Sequence, residues 1–200
     1  MPNWCSNTIV IRGDVDKIKT ILEKMGQTTE HVGIFTSLIG VDPDIAPTGW
    51  HESNLRRFGT KWDIWANESN IESTEDEIII TAETAWSPPV PFCITLAEKY
   101  GVNVRVSYSE PGCDFAGVTK IIGDEVTQED YSYLEGLFHI DNAGFWSDID
   151  DYDFPTDYEG TPEQWVKENF RYLNDRDRDT VVEKYKLYIL DQETDDESGD

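Results

Sequence analysis

The chain has 200 residues, 41 of them acidic and 16 basic, for a net charge of −25. A charge this negative repels phosphate and argues against direct binding to nucleic acid unless a basic face is segregated. No stretch is long and apolar enough to span a membrane, and three cysteines without a leader peptide point to free thiols in a reducing cytoplasm.

In chain order, Asn7 to Arg12 (NTIVIR) reads as a short strand stopped by Gly13 and Asp14. Val15 to Met25 reads as a helix with Asp14 as N-cap and Val15, Ile18, Ile21, Leu22 and Met25 on its buried stripe. Gly26 to Thr74 is poorly periodic and carries Asp42-Pro43 and Ala46-Pro47, so it is expected to be a long insertion, functional or hiding an unrecognised element. Within it, Trp62 and Trp65 lie three apart, beside the local positive charge of Arg56, Arg57 and Lys61.

Glu77 to Gly123 is the densest apolar block and should organise the fold. Ile78 to Trp86 is rich in β-branched residues and reads as a strand stopped by Ser87-Pro88-Pro89. Apolar residues at three- and four-residue spacing from Val90 to Tyr100 predict a helix ending at Gly101. Val102, Val104 and Val106 alternate with polar residues as a half-buried strand, Glu110-Pro111-Gly112 is a turn, and Phe115 to Ile122 is a returning strand. A β-α-β-β-α-β order is the ferredoxin-like α+β arrangement, an antiparallel sheet with its helices on one face.

The C-terminal part reads as an acidic helical extension. Residues 1–120 carry 17 acids and 10 bases, whereas residues 121–200 carry 24 acids and 6 bases. Thr127 to about Phe138 is predicted helical, Thr161-Pro162 starts another helix by N-cap and N1 chemistry, and a last helix is expected from Asp179 or Thr180 through Leu190. The expected organisation is a domain over 1–123 with its insertion at about 26–74, a helical extension over 124–191 packed on it, and a disordered acidic tail over 192–200.

Four stretches, Met1-Pro2-Asn3-Trp4-Cys5-Ser6-Asn7, Gly59-Thr60-Lys61-Trp62-Asp63, Thr84-Ala85-Trp86-Ser87-Pro88-Pro89 and Glu110-Pro111-Gly112-Cys113-Asp114-Phe115-Ala116-Gly117, resemble the YubB-like family of small plasmid and bacteriophage proteins. The resemblance spans roughly Met1 to Gly123 and implies a ferredoxin-like domain of mobile-element origin; it carries no biochemical role with it.

Two functional readings follow. Asp141 to Gly160 holds seven acids, no base and five aromatics. Asp148, Asp150, Asp151, Asp153 and Asp157 there would form a surface for a host protein, imitating the phosphates of DNA to occupy a nucleic-acid-binding defence factor; the competing explanation is solubility alone. The loop glycine and terminal glutamate of an EF-hand are missing, so no metal is expected, and no cofactor motif is present. The alternative reading places Trp62, Asp63, Trp86, Glu110 and Asp114 in an aromatic and carboxylate pocket for a small planar ligand, or for acid–base hydrolysis. If that pocket is functional, Asp63→Ala and Glu110→Ala should abolish binding and spare the melting temperature; if those residues build the fold, both should lose stability.

Overall fold

The computed structural model describes residues 3–42 and 49–197. The chain divides into two compact units, Met1–Gly136 and Leu137–Asp200. The first is a six-stranded antiparallel sheet of β1 (Trp4–Arg12), β2 (Asn70–Ser73), β3 (Glu77–Ala85), β4 (Asn103–Glu110), β5 (Phe115–Ile122) and β6 (Glu125–Tyr131), in the order β2-β3-β1-β4-β5-β6. Its helices are α1 (Val15–Met25), α2 (Ile34–Ile39), α3 (Trp50–Phe58) and α4 (Val90–Tyr100). The path β1-α1-β2-β3-α4-β4 with sheet order β2-β3-β1-β4 is the ferredoxin-like fold expected from the sequence, and β5 and β6 widen it.

Side-chain alternation explains the register. Cys5, Asn7, Ile9 and Ile11 of β1 are buried in the core, while Trp4, Ser6 and Arg12, in alternation with them, fall on the opposite face. Ile9 lies between Ile80 of β3 and Val106 of β4, and a slip by one residue would turn this row outward. Ile18 and Ile21 of α1 and Phe92 and Leu96 of α4 join the same core. Phe35 of α2 bridges Phe92, with ring centroids 4.2 Å apart, and Phe58 of α3, at 5.4 Å.

Several local expectations change. The segment expected to be an insertion supplies α2, α3 and the edge strand β2, which pairs Ile71 with Ile80; the Pro43 and Pro47 turns lie outside the described residues. Asp14 sits at the N-cap of α1, but its carboxylate makes no cap hydrogen bond and pairs with Lys17 at 3.2 Å. The stretch from Thr127, expected to be helical, is strand β6. Gly123 at φ 58° and Asp124 make a two-residue turn that pairs Ile122 with Glu125, and a hairpin closed there satisfies the backbone of Glu125–Tyr131 before a helix can start. The helix instead begins as α5 (Tyr133–Ile140).

The second unit contains α6 (Asn142–Asp150), α7 (Pro162–Asn169) and α8 (Asp175–Glu197). Its core is aromatic: Phe154 stacks on Tyr185 at 4.7 Å, with Trp165 edge-on to both. Thr161 is the N-cap of α7 as expected, and the Gln164 side chain, which the sequence reading did not include, completes a capping box with it. α8 starts earlier than expected because the Asn174 side chain accepts from the Asp177 N–H at 3.0 Å. It runs on to Glu197, past its last apolar residue, through a sequence without glycine or proline.

Candidate ligand-binding site

The four motif stretches meet at the end of the sheet where β1 begins and β3 and β4 finish. The Trp86 N–H donates to the Asn3 carbonyl at 3.0 Å, extending the β1–β3 ladder by one step. Asn7, buried, donates to Thr84 Oγ1 at 2.9 Å and to the Cys5 carbonyl at 2.7 Å. Thr60 donates to the Ala85 carbonyl at 2.9 Å, and Ser87 to the Gly59 carbonyl at 2.6 Å. These bonds satisfy buried polar groups and fasten the loop after α3 to the end of β3.

The fastened loop closes one side of a pocket of about 390 Å³. Trp4, Trp62 and Trp65 supply its aromatic surface, and Asp63, Glu68 and Glu83 its carboxylates. The Trp4 and Trp62 rings lie 5.9 Å apart at 40°, and the Lys61 ammonium sits 4.7 Å from the Trp62 ring centre. Among the described residues neither Glu68 nor Glu83 forms an ion pair. Chemically this is an aromatic enclosure with negative charge at its wall, suited to a cationic group.

Of the five pocket residues expected from the sequence, Trp62 and Asp63 line this cavity; Trp86, Glu110 and Asp114 lie outside its lining. Asp63 also caps α2. Its Oδ1 accepts from the N–H groups of Phe35 and Ile64, both at 2.8 Å, and its Oδ2 accepts from Thr36 at 2.9 Å. Glu110 is only 3% exposed and closes the turn that follows β4, accepting from the N–H of Gly112 at 2.7 Å and of Cys113 at 2.6 Å. Burial alone would push its carboxyl up, but hydrogen bonds from Cys113, Gly112 and Asn3 outweigh burial and hold it below its ordinary value. Asp114, at φ 52°, accepts from the Tyr133 N–H at the start of α5. Trp86 is half exposed and takes φ 74°, a conformation costly for a bulky side chain.

Trp65, noted in the sequence beside Trp62, joins the lining, whereas Trp4, Glu68 and Glu83 were not among the pocket residues expected from the sequence. Strand alternation was the available signal for two of them: with Cys5 and Asn7 inward and Ala82 and Thr84 inward, Trp4 and Glu83 must face the other way.

The cysteines remain free. Although β1 and β4 are neighbours, Cys5 is buried, with its thiol pushed up to about 12 by burial, and Cys113 is exposed. The Cys113 thiol is itself raised by its hydrogen bond to Glu110 and accepts one from Asn3 at 3.2 Å, so it is held in its less nucleophilic form.

The expected partner-binding aspartates occupy α6 and the chain after it. Asp150 is bound by Lys184, and Asp153 accepts from the Tyr188 hydroxyl at 3.5 Å. Asp151 and Asp157 are exposed, and Asp148 is half-buried. Among the described residues no group of three or more His, Cys, Asp or Glu side chains is arranged to hold a metal ion.

No curated protein matches the sequence. Among solved structures, the chain is similar to the protein api92 from Yersinia pseudotuberculosis, at 10% identity and a TM-score of 0.49, over 66% of this chain and 99% of that one. Residues 61–153, which hold β2 through α6 and all five of the pocket positions expected from the sequence, match a family described as the ferredoxin-like domain in Api92-like protein.

Proposed function

We propose that this is a binding protein that captures a basic protein partner, with the Trp4/Trp62/Trp65 pocket receiving a lysine or arginine side chain. The observation that carries the reading is the pairing in one cavity of three indoles with Glu68 and Glu83, carboxylates that form no ion pair among the described residues. A chain of net charge −25 draws cationic surfaces towards it over long range, and the pocket supplies the short-range selectivity. The resemblance of the four motifs to YubB-like plasmid and phage proteins favours a host protein as the partner, and nucleic-acid-binding proteins are basic. The test is a fluorescence titration with a short Lys/Arg peptide. Changing Glu68→Gln and Glu83→Gln together should weaken binding roughly tenfold without lowering the melting temperature, since two partly desolvated charge contacts contribute about 1–2 kcal/mol. Unchanged affinity in the double variant would remove the pocket from the reading.

A second reading is supported by the exposure of Asp151 and Asp157: the surface of α6 and the chain after it imitates phosphates towards a DNA-binding protein. Changing Asp148, Asp151 and Asp157 to Asn should then release a host DNA-binding protein retained at low salt, and retention of the same protein would leave these acids as a solvated surface. The hydrolase alternative lacks support from Asp63 and Glu110, whose carboxylates are bonded to backbone N–H groups.

A further inference from the structure

We infer that the outer face of the sheet carries a second binding site, for a small organic anion with one phosphate or carboxylate group. The chain has 16 basic residues among 41 acids, yet three of the basic ones, Arg12, Arg105 and Lys120, line a single groove of about 300 Å³ with Val10, Asn103 and Ile122. No carboxylate belongs to that lining.

The strand register makes the arrangement specific. Val10 lies directly across from Arg105, and Arg105 directly across from Lys120, so two like charges face each other on adjacent strands. Such a pair is unfavourable in an empty sheet. Arg12 is answered by Glu77, its cross-strand partner, at 2.5 Å, and Lys120 reaches Glu129 only at 4.0 Å. The Arg105 guanidinium donates to Ser107 Oγ at 3.3 Å and forms no ion pair among the described residues. An oxyanion seated between Arg105 and Lys120 would relieve the repulsion, taking the planar fork of the arginine and the point charge of the lysine. Val10 and Ile122, the latter 60% exposed, offer apolar surface to the body of the ligand.

Charge also limits the size of the ligand. At physiological salt the screening length is about 8 Å, so a small anion in the groove is governed by the charges immediately around it, of which Arg105 is the cation without an ion pair among the described residues. A long polyanion would reach the acids that dominate the rest of the surface and be repelled by them.

The test uses the full chain and phenyl phosphate as probe, followed by amide chemical shifts and melting temperature, with benzoate and inorganic phosphate in parallel. Phenyl phosphate should shift Val10, Arg105, Lys120 and Ile122 and raise the melting temperature. Tighter binding of benzoate than of phenyl phosphate would identify a carboxylate ligand, and equal binding of inorganic phosphate would show that the apolar floor plays no part and overturn the organic-ligand claim. Arg105→Gln should weaken binding roughly tenfold, the loss of one charge-assisted contact. Lys120→Gln should weaken it too, yet raise the melting temperature of the ligand-free protein by removing the like-charge pair. A fall in that ligand-free temperature, or the same phenyl phosphate affinity in the wild type and in the Arg105→Gln/Lys120→Gln variant, would overturn the proposal. Glu68→Gln/Glu83→Gln, at the opposite end of β1, serves as a control that leaves this binding unchanged.

Discussion

Replacing Asp63 by alanine removes the acceptor for three backbone N–H groups at once, those of Phe35, Thr36 and Ile64. Losing a helix N-cap costs about 0.5–2 kcal/mol, and a hydrogen bond to a charged group contributes about 1.5–3 kcal/mol. Asp63 is half-buried, so water recovers part of the loss; the expected net cost is about 2.5 kcal/mol. For a unit of this size that corresponds to a fall in melting temperature of roughly 10 °C. Asp63→Asn keeps one oxygen acceptor and loses the charge, so it should fall about half as far. Thermal and urea unfolding of both variants, with the slope of the urea transition checked for constancy, measures this directly. A melting temperature for Asp63→Ala within about 1 °C of wild type would refute the capping role and return Asp63 to the ligand-binding role raised from the sequence.

Other predictions concern the same unit and its neighbour. Gly117→Ala would place a Cβ 2.5 Å from the Tyr108 hydroxyl, which crosses that glycine to donate to Asp130 at 2.7 Å; it should cost about 2 kcal/mol in urea unfolding, and the raised tyrosine ionisation should move back down in an absorbance titration. Trp86→Asn should hold or raise the melting temperature, since asparagine tolerates φ 74° better than tryptophan, by up to about 1 kcal/mol; a loss above that would show the indole to be an essential packing group. Glu163 is lowered to about 2, chiefly by Lys186. Its folded value lies below its unfolded one, so its contribution is complete above pH 4.5 and is lost as pH falls towards 2. Lys186→Met should move the Glu163 titration, followed by carboxyl NMR, back towards 4.5 and flatten that acid limb.

The parts of the fold read from sequence were those with strong periodicity bounded by breakers. Ile78 to Trp86 before two prolines, and Val90 to Tyr100 before Gly101, left little choice of element. β2 was missed because four residues with three polar side chains carry almost no alternation, and it exists because β3 offers an open edge. β6 was misread because Thr127 and Asp130 look like a helix start; the decisive residues were Gly123 and Asp124, a two-residue hairpin turn. At the candidate site, the convergence of the four motifs was legible and the function of their carboxylates was not. An acid in a loop looks the same whether it faces a ligand or a backbone N–H nearly thirty residues back along the chain, and only the fold placed Asp63 against α2.

β1 lies in the middle of the sheet, although it is made first. Its partner Ala85 lies some eighty residues downstream, and at a synthesis rate of about 5–20 residues per second the strand waits several seconds before β3 appears, and longer for β4. During that interval Ile9 and Ile11 have helices to cover them but neither flanking strand, which makes this nascent segment a natural client for a chaperone. The same geometry bears on fragments: residues 61–153 contain β3 and β4 without the strand that joins them, so a piece cut at those bounds would carry two unpaired inner edges and should associate with a supplied copy of residues 3–25.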